Sequence, residues 1–130
     1  MQVSWLPEPE RHPLWADILR LLRPAAEYGG IDPYDPGDWV WIIYDGTVLY
    51  GAAVTRLLPG DEAELRLAGG GCFQRWIGLL DGAVSDWARR GGAYRLTMRG
   101  RRGWSRFASR FGWVALGHDD NNLMMFSKEL

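Results

Sequence analysis

The chain has one cysteine, two histidines and a single lysine in 130 residues. A lone Cys72 excludes an internal disulfide and any metal site built on several thiolates. Neither His12 nor His118 stands in a metal-ligand spacing, so both are expected at the surface and no metal is expected. No apolar run approaches the roughly 18 residues that cross a bilayer, and the opening MQVSWLPEPERHP lacks the basic-then-apolar layout of a secretory leader. The expectation is a soluble protein of the cytoplasm with no membrane partner. Internal repeats and low-complexity tracts are also absent, and the length suits one domain spanning residues 1–130.

What is present begins with an uneven charge. Residues 1–70 carry eleven acids against five arginines, whereas residues 71–130 carry five acids against nine arginines and Lys128. The second half is therefore the half that attracts anions. Arginine suits planar, two-point contacts with carboxylate or phosphate better than lysine does, although a GC-rich coding sequence gives the same bias.

Local patterns give an order of elements. Residues 2–6 read as a short strand ended by Pro7 and Pro9. From Pro13 the apolar residues Leu14, Trp15, Ile18, Leu21 and Leu22 recur at helical spacing, and Pro24 predicts a stop near Arg23. The stretch AAEYGGIDPYDPGD reads as a loop. Trp39 to Tyr44 and Thr47 to Leu57 flank Asp45-Gly46, the signature of a hairpin. After the turn at Pro59-Gly60-Asp61, Glu62 to Ala68 alternates as a third antiparallel strand. Gly69, Gly70 and Gly71 then break the chain before a helix from about Phe73 to Arg90, whose apolar positions fall three and four apart until Gly91-Gly92 stops it. Ala93 to Met98 reads as a strand, Arg102 to Phe111 as a short helix closed by Gly112, and Trp113 to Leu116 with Leu123 to Ser127 as a final pair.

This order of elements, with a strand-glycine-helix junction followed by WARRGGAYRLTM, a short helix ending in RFGW and a closing hairpin, resembles the GCN5-related N-acetyltransferase superfamily. The resemblance implies an α+β fold: a mixed, mostly antiparallel twisted sheet of six to seven strands flanked by helices. It also implies an acyl-CoA cofactor. In that family a segment Q/R-x-x-G-x-G/A leading into the long helix presents backbone N–H groups to the pyrophosphate, a splayed fourth strand pairs with the pantetheine arm, and a carboxylate or water takes a proton from the attacking amine. A tyrosine on the later short helix commonly protonates the leaving thiolate.

Carried over by position, Arg75 and Gly78 match the first and fourth places of the pyrophosphate segment, but Leu80 stands where Gly or Ala is expected. Both also suit ordinary helix residues. Gly69, Gly70 and Gly71 fit either an anion-cradling turn or a tight strand-to-helix connection. Ala108 occupies the tyrosine's place, Arg101 that of a frequent asparagine, and Trp104 that of a small residue. Glu62 and Glu64 share one face of the fourth strand, as candidate bases or as a solvated edge.

Eight arginines between Arg89 and Arg110 are interleaved with Tyr94, Trp104 and Phe107. Arg99, Arg101, Arg102, Trp104, Arg106 and Arg110 are the candidate interaction surface, for a protein partner or for nucleic acid, against the plain reading of a solvated face. Of the eight tryptophans, Trp76 and Trp87 are core by periodicity. Trp5, Trp39, Trp41, Trp104 and Trp113 exceed what so small a domain can bury, which leaves some for a partner.

The substituted motif favours a pseudoenzyme: a catalytically degenerate acetyltransferase fold that binds no cofactor and acts as a binding or structural component. It is similar to divergent bacteriophage and prophage proteins of this type, which implies a role in the virion or its assembly. An active acetyl-CoA-dependent N-acetyltransferase and a nucleic-acid-binding adaptor are the alternatives.

Overall fold

Seven strands form one sheet in the order β1-β2-β3-β4-β5-β7-β6. The computed structural model describes residues 1–130 apart from the side chain of Arg102. The strands are β1 (Gln2–Leu6), β2 (Trp39–Asp45), β3 (Val48–Leu58), β4 (Glu62–Gly70), β5 (Arg95–Gly100), β6 (Val114–His118) and β7 (Met124–Glu129). The helices are α1 (Trp15–Gly29), α2 (Phe73–Arg90) and the short α3 (Ser105–Ala108), the last flanked by single turns of 3₁₀ helix at Arg102–Trp104 and Ser109–Phe111. All neighbouring strands pair antiparallel except β4 and β5. The architecture is the α+β sheet expected, with seven strands.

The sheet separates two cores. On one face Ile18, Leu22 and Ala26 of α1 pack on Val40, Ile42, Ala52, Val54 and Leu67. On the other, Trp76, Leu80, Val84 and Trp87 of α2 pack on Trp41, Ala53, Leu65 and Leu96. Leu65 and Leu67 would share a face in a regular strand, but Val54 pairs with Leu67 while Thr55 pairs with Leu65. Arg66 is the extra residue of a β-bulge, and beyond it the strand presents the opposite set of side chains to each layer.

One sequence expectation fails clearly. α1 does not stop before Pro24 but contains it and runs to Gly29. Pro24 removes one backbone donor, yet Ala25, Ala26 and Glu27 favour helix and buried Leu22 and Ala26 anchor both sides of the break. Gly30, at φ 67°, closes the helix with its N–H directed to Ala26 and Glu27, and the Ile31 N–H returns to the Ala26 carbonyl. The first five residues of the expected loop are therefore the last turn of α1.

The tryptophans divide as expected, with Trp76 and Trp87 in the core and Trp5, Trp39, Trp41, Trp104 and Trp113 not all buried. Trp41, Trp76, Trp87 and Trp113 are buried, Trp39 and Trp104 are half-buried, and Trp5 is exposed. Cores on both faces of the sheet provide the room, and buried indoles find acceptors: Trp41 at Thr55 Oγ1 (2.9 Å), Trp76 at the Gly71 carbonyl (2.6 Å) and Trp113 at Asp81 (2.8 Å). Trp5 stacks on Trp39 with ring centres 4.5 Å apart.

α1 lies so close to β4 that a Cβ at Gly69 would run into the Leu21 carbonyl oxygen. Glycine is required there by contact between two main chains. Gly69→Ala is expected to destabilise the protein by about 1–3 kcal/mol through overpacking, read as a lower urea midpoint. An unchanged midpoint would show that α1 moves freely over the sheet.

Candidate functional site

β4 and β5 run side by side for four residue pairs, from Glu62↔Arg95 to Leu65↔Met98, and then part. Two features separate them. The bulge at Arg66 bends β4, and β5 ends at Gly100, where the Trp104 ring packs so tightly that an added Cβ would lie 3.0 Å from it. From Arg66 onward, the edge of β4 that faces β5 has no partner strand. It borders an open cleft of about 1020 Å³.

The cleft has three walls. The C-terminal half of α1 contributes Leu21, Ala25 and Tyr28, β4 contributes Glu64 to Gly70, and the segment after β5 contributes Arg99, Arg101, Trp104 and Phe107. Phe73, the first residue of α2, sits at the inner end and contacts Trp104 at 4.5 Å between ring centres. The α2 first turn has no side-chain cap, so its leading N–H groups remain without one of the usual partners.

Ion pairs fix the charged lining. Glu64 Oε1 accepts from Arg56 Nε at 2.9 Å, and the pair sits directly across β3 and β4. Among the described residues Oε2 of Glu64 has no protein partner. Arg66 is nearly buried and binds Asp38 at 2.8 Å and Asp35 at 3.2 Å, while also donating to the Asp32 carbonyl at 2.9 Å. These bonds tie Asp32, Asp35 and Asp38 to β4. Arg101 lies over the Tyr28 ring, its guanidinium carbon 4.4 Å from the ring centre.

Each residue singled out in the sequence now has a place. Glu64 lines the cleft; Glu62 does not, and pairs with Arg95 at 3.4 Å. Gly69 and Gly70 line it as part of β4, paired with Ala52 and Gly51. Gly71 is in the connection to α2, but its N–H is spent on the Tyr50 carbonyl at 3.0 Å, which leaves the glycine run as a tight junction. Arg75 and Gly78 lie within α2 and outside the cleft lining; Gly78 faces Phe111, and Leu80 is fully buried. Ala108 is buried against α2, so the cleft side of the short helix is Trp104 and Phe107.

The arginine cluster does not form one face. Arg90 pairs with Asp86, and Arg95 with Glu62 and Glu129. Arg99 and Arg101 line the cleft together with Trp104, while Arg106 and Arg110 are exposed outside its lining. The side chain of Arg102 lies outside those described. Close sequence spacing scatters here because a strand end, a turn and a short helix follow one another within a dozen residues.

Two elements of the site were missed in the sequence. The proline rule at Pro24 puts Tyr28 in a loop, whereas α1 runs through Pro24 and carries Tyr28 to the cleft. The Arg56–Glu64 pair follows from a hairpin register in which Leu58 faces Glu62, a signal available in the turn at residues 59–61. Among the described residues no group of three or more His, Cys, Asp or Glu converges as a metal site, and no helix is long and apolar enough to cross a membrane.

No protein-family model and no curated protein sequence matches the chain. Solved structures do match. Tetrahymena GCN5 superposes with a TM-score of 0.77 at 13% identity, over 99% of this chain and 96% of that one. A GNAT family acetyltransferase from Elizabethkingia anophelis with acetyl-CoA bound gives 0.74 at 16% identity, over 99% of each chain. An acetyltransferase from Bacillus subtilis in complex with CoA gives 0.74 at 13% identity, over 99% and 98%. The fold is that of the GNAT acetyltransferases.

Proposed function

We propose that the protein binds an acyl-CoA in the cleft between β4 and β5 and transfers the acyl group to an amine. The observation that carries this reading is the parting of the two parallel strands after Leu65↔Met98, which leaves a strand edge unpaired beside about 1020 Å³ of open space. An unpaired edge offers alternating N–H and C=O groups to an extended ligand that carries amides, as an added strand would. The fold neighbours from Bacillus subtilis and Elizabethkingia anophelis hold CoA and acetyl-CoA respectively.

The chain's own residues fit the cofactor in part. The β4 edge from Arg66 to Ala68 and the uncapped first turn of α2 are the groups that would hold it, and the small Gly69 and Gly70 add no side chain to that wall. When bound, it supplies a thioester carbonyl open to attack by an amine. Glu64 accepts the proton of that amine at Oε2, while Arg56 on Oε1 keeps the carboxylate in place. This departs from the expectation of no cofactor, which rested on the substituted Arg75–Leu80 segment; that segment lies outside the cleft.

A second reading keeps the binding and removes the turnover. Trp104 and Phe107 cover the cleft side of the short helix, and neither yields a proton to a leaving thiolate. This observation favours a catalytically silent form that binds the ligand without turning it over. Titration calorimetry with acetyl-CoA tests the common part: saturable one-to-one binding is expected, and no heat above dilution at millimolar ligand would reject both forms.

A further inference from the structure

The contact between Arg101 and Tyr28 joins opposite walls of the cleft. Tyr28 belongs to the C-terminal turn of α1 and Arg101 follows the end of β5, and both line the same open space. Their contact therefore bridges two walls of the cleft. Tyr28 is half exposed, and no acid is paired with Arg101 among the described residues. An exposed guanidinium on an aromatic face is held weakly, and charge-assisted hydrogen bonds to a phosphate are stronger.

Beside the uncapped first turn of α2, the junction with β4 brings no cationic side chain into the cleft lining. Only Gly71 and Cys72 connect β4 to α2; the Gly71 N–H goes to Tyr50 and the Arg75 N–H to the Cys72 carbonyl at 2.9 Å. Arg75 itself lies outside the lining. Phe73 against Trp104 holds the turn that follows Arg101 beside the start of α2. Of the arginines in the lining, Arg56, Arg66 and Arg99 are paired with Glu64, Asp38 and Asp119, which leaves Arg101 on the β5 side.

Resting on the acyl-CoA reading above, we propose that Arg101 is a phosphate-operated latch. In the free protein it crosses from one wall to the other on Tyr28. A phosphate of the incoming ligand takes the guanidinium away from the ring, so the same side chain that bars the cleft becomes an anchor for the ligand's charged end. The exchange makes recognition of the phosphates and opening of the cleft one event.

Calorimetry with two ligands separates the parts, using CoA and pantetheine, which shares the thiol arm and lacks the phosphates. Arg101→Ala is expected to weaken CoA by at least about tenfold and to leave pantetheine no weaker, because the latch is lost with the anchor. Tyr28→Ala, which frees the guanidinium, is expected to bind CoA at least as tightly as the unmodified protein. The latch is overturned if Arg101→Ala binds CoA normally, if it weakens both ligands equally, or if Arg75→Ala produces the loss instead. Should Arg101→Ala fail to fold, salt decides on the unmodified protein: CoA affinity must fall as salt rises while pantetheine affinity does not. An unmodified protein that binds neither ligand rejects the acyl-CoA reading itself, and the latch with it.

Discussion

Asp81→Ala is expected to cost about 3–5 kcal/mol of stability, the range seen when one member of a buried ion pair is removed. Asp81 lies on α2 and takes Lys128 Nζ of β7 at 2.7 Å on Oδ2 and the Trp113 indole at 2.8 Å on Oδ1. Its side chain is 9% exposed and that of Lys128 14%. Truncation leaves the ammonium with Ser85 Oγ at 3.1 Å and takes away the acceptor of the Trp113 indole. The pair fastens the long helix to the far side of the sheet, so the loss should appear as one cooperative shift in urea unfolding followed by tryptophan fluorescence. Replacing both partners, as Asp81→Leu with Lys128→Met, should recover much of the loss because no charge is then stranded. A single variant within 1 kcal/mol of the parent would mean that water reaches the pair.

Glu64→Gln should lower acyl transfer by about 10²–10⁴-fold, the usual contribution of a positioned general base, while CoA affinity stays unchanged. The split follows from geometry. Glu64 borders the cleft where β4 and β5 part, and Arg56 occupies only its Oε1. Glu62→Gln serves as the matched control, since Glu62 is two residues away and engaged with Arg95 outside the lining. Release of free thiol in the presence of a panel of amines provides the measurement. Equal rates for the two variants would remove Glu64 from the reaction, and binding of CoA with no thiol release from the parent would select the silent form.

The long helix was legible in the sequence because its apolar spacing, its glycine stop and its burial agree; Phe73 to Arg90 is the span found. The β2–β3 hairpin was equally plain from Asp45-Gly46, whose glycine takes φ 57°. α1 was misjudged because a local rule about Pro24 competes with long-range packing of Leu22 and Ala26, and packing wins. The site was harder for a similar reason. Motif spacing nominates Arg75 and Gly78 while helical periodicity reads both as ordinary helix residues, and only the structure shows that neither lines the cleft. Glu64 could be nominated by strand alternation, whereas choosing it over Glu62 required knowing where β5 leaves β4.

The bulge at Arg66 has a consequence for how such a chain can change over generations. Ala63 and Leu65 serve the α2 layer and Leu67 serves the α1 layer because one extra residue separates the two halves of β4. Deleting that residue would exchange the allegiance of every position beyond it, turning Leu67 outward from its core and carrying the glycine away from the Leu21 carbonyl. Side chains that line the cleft can be exchanged without moving the strand, but the count of residues along it cannot change. A lineage that keeps the fold must inherit the spacing even where it discards the chemistry.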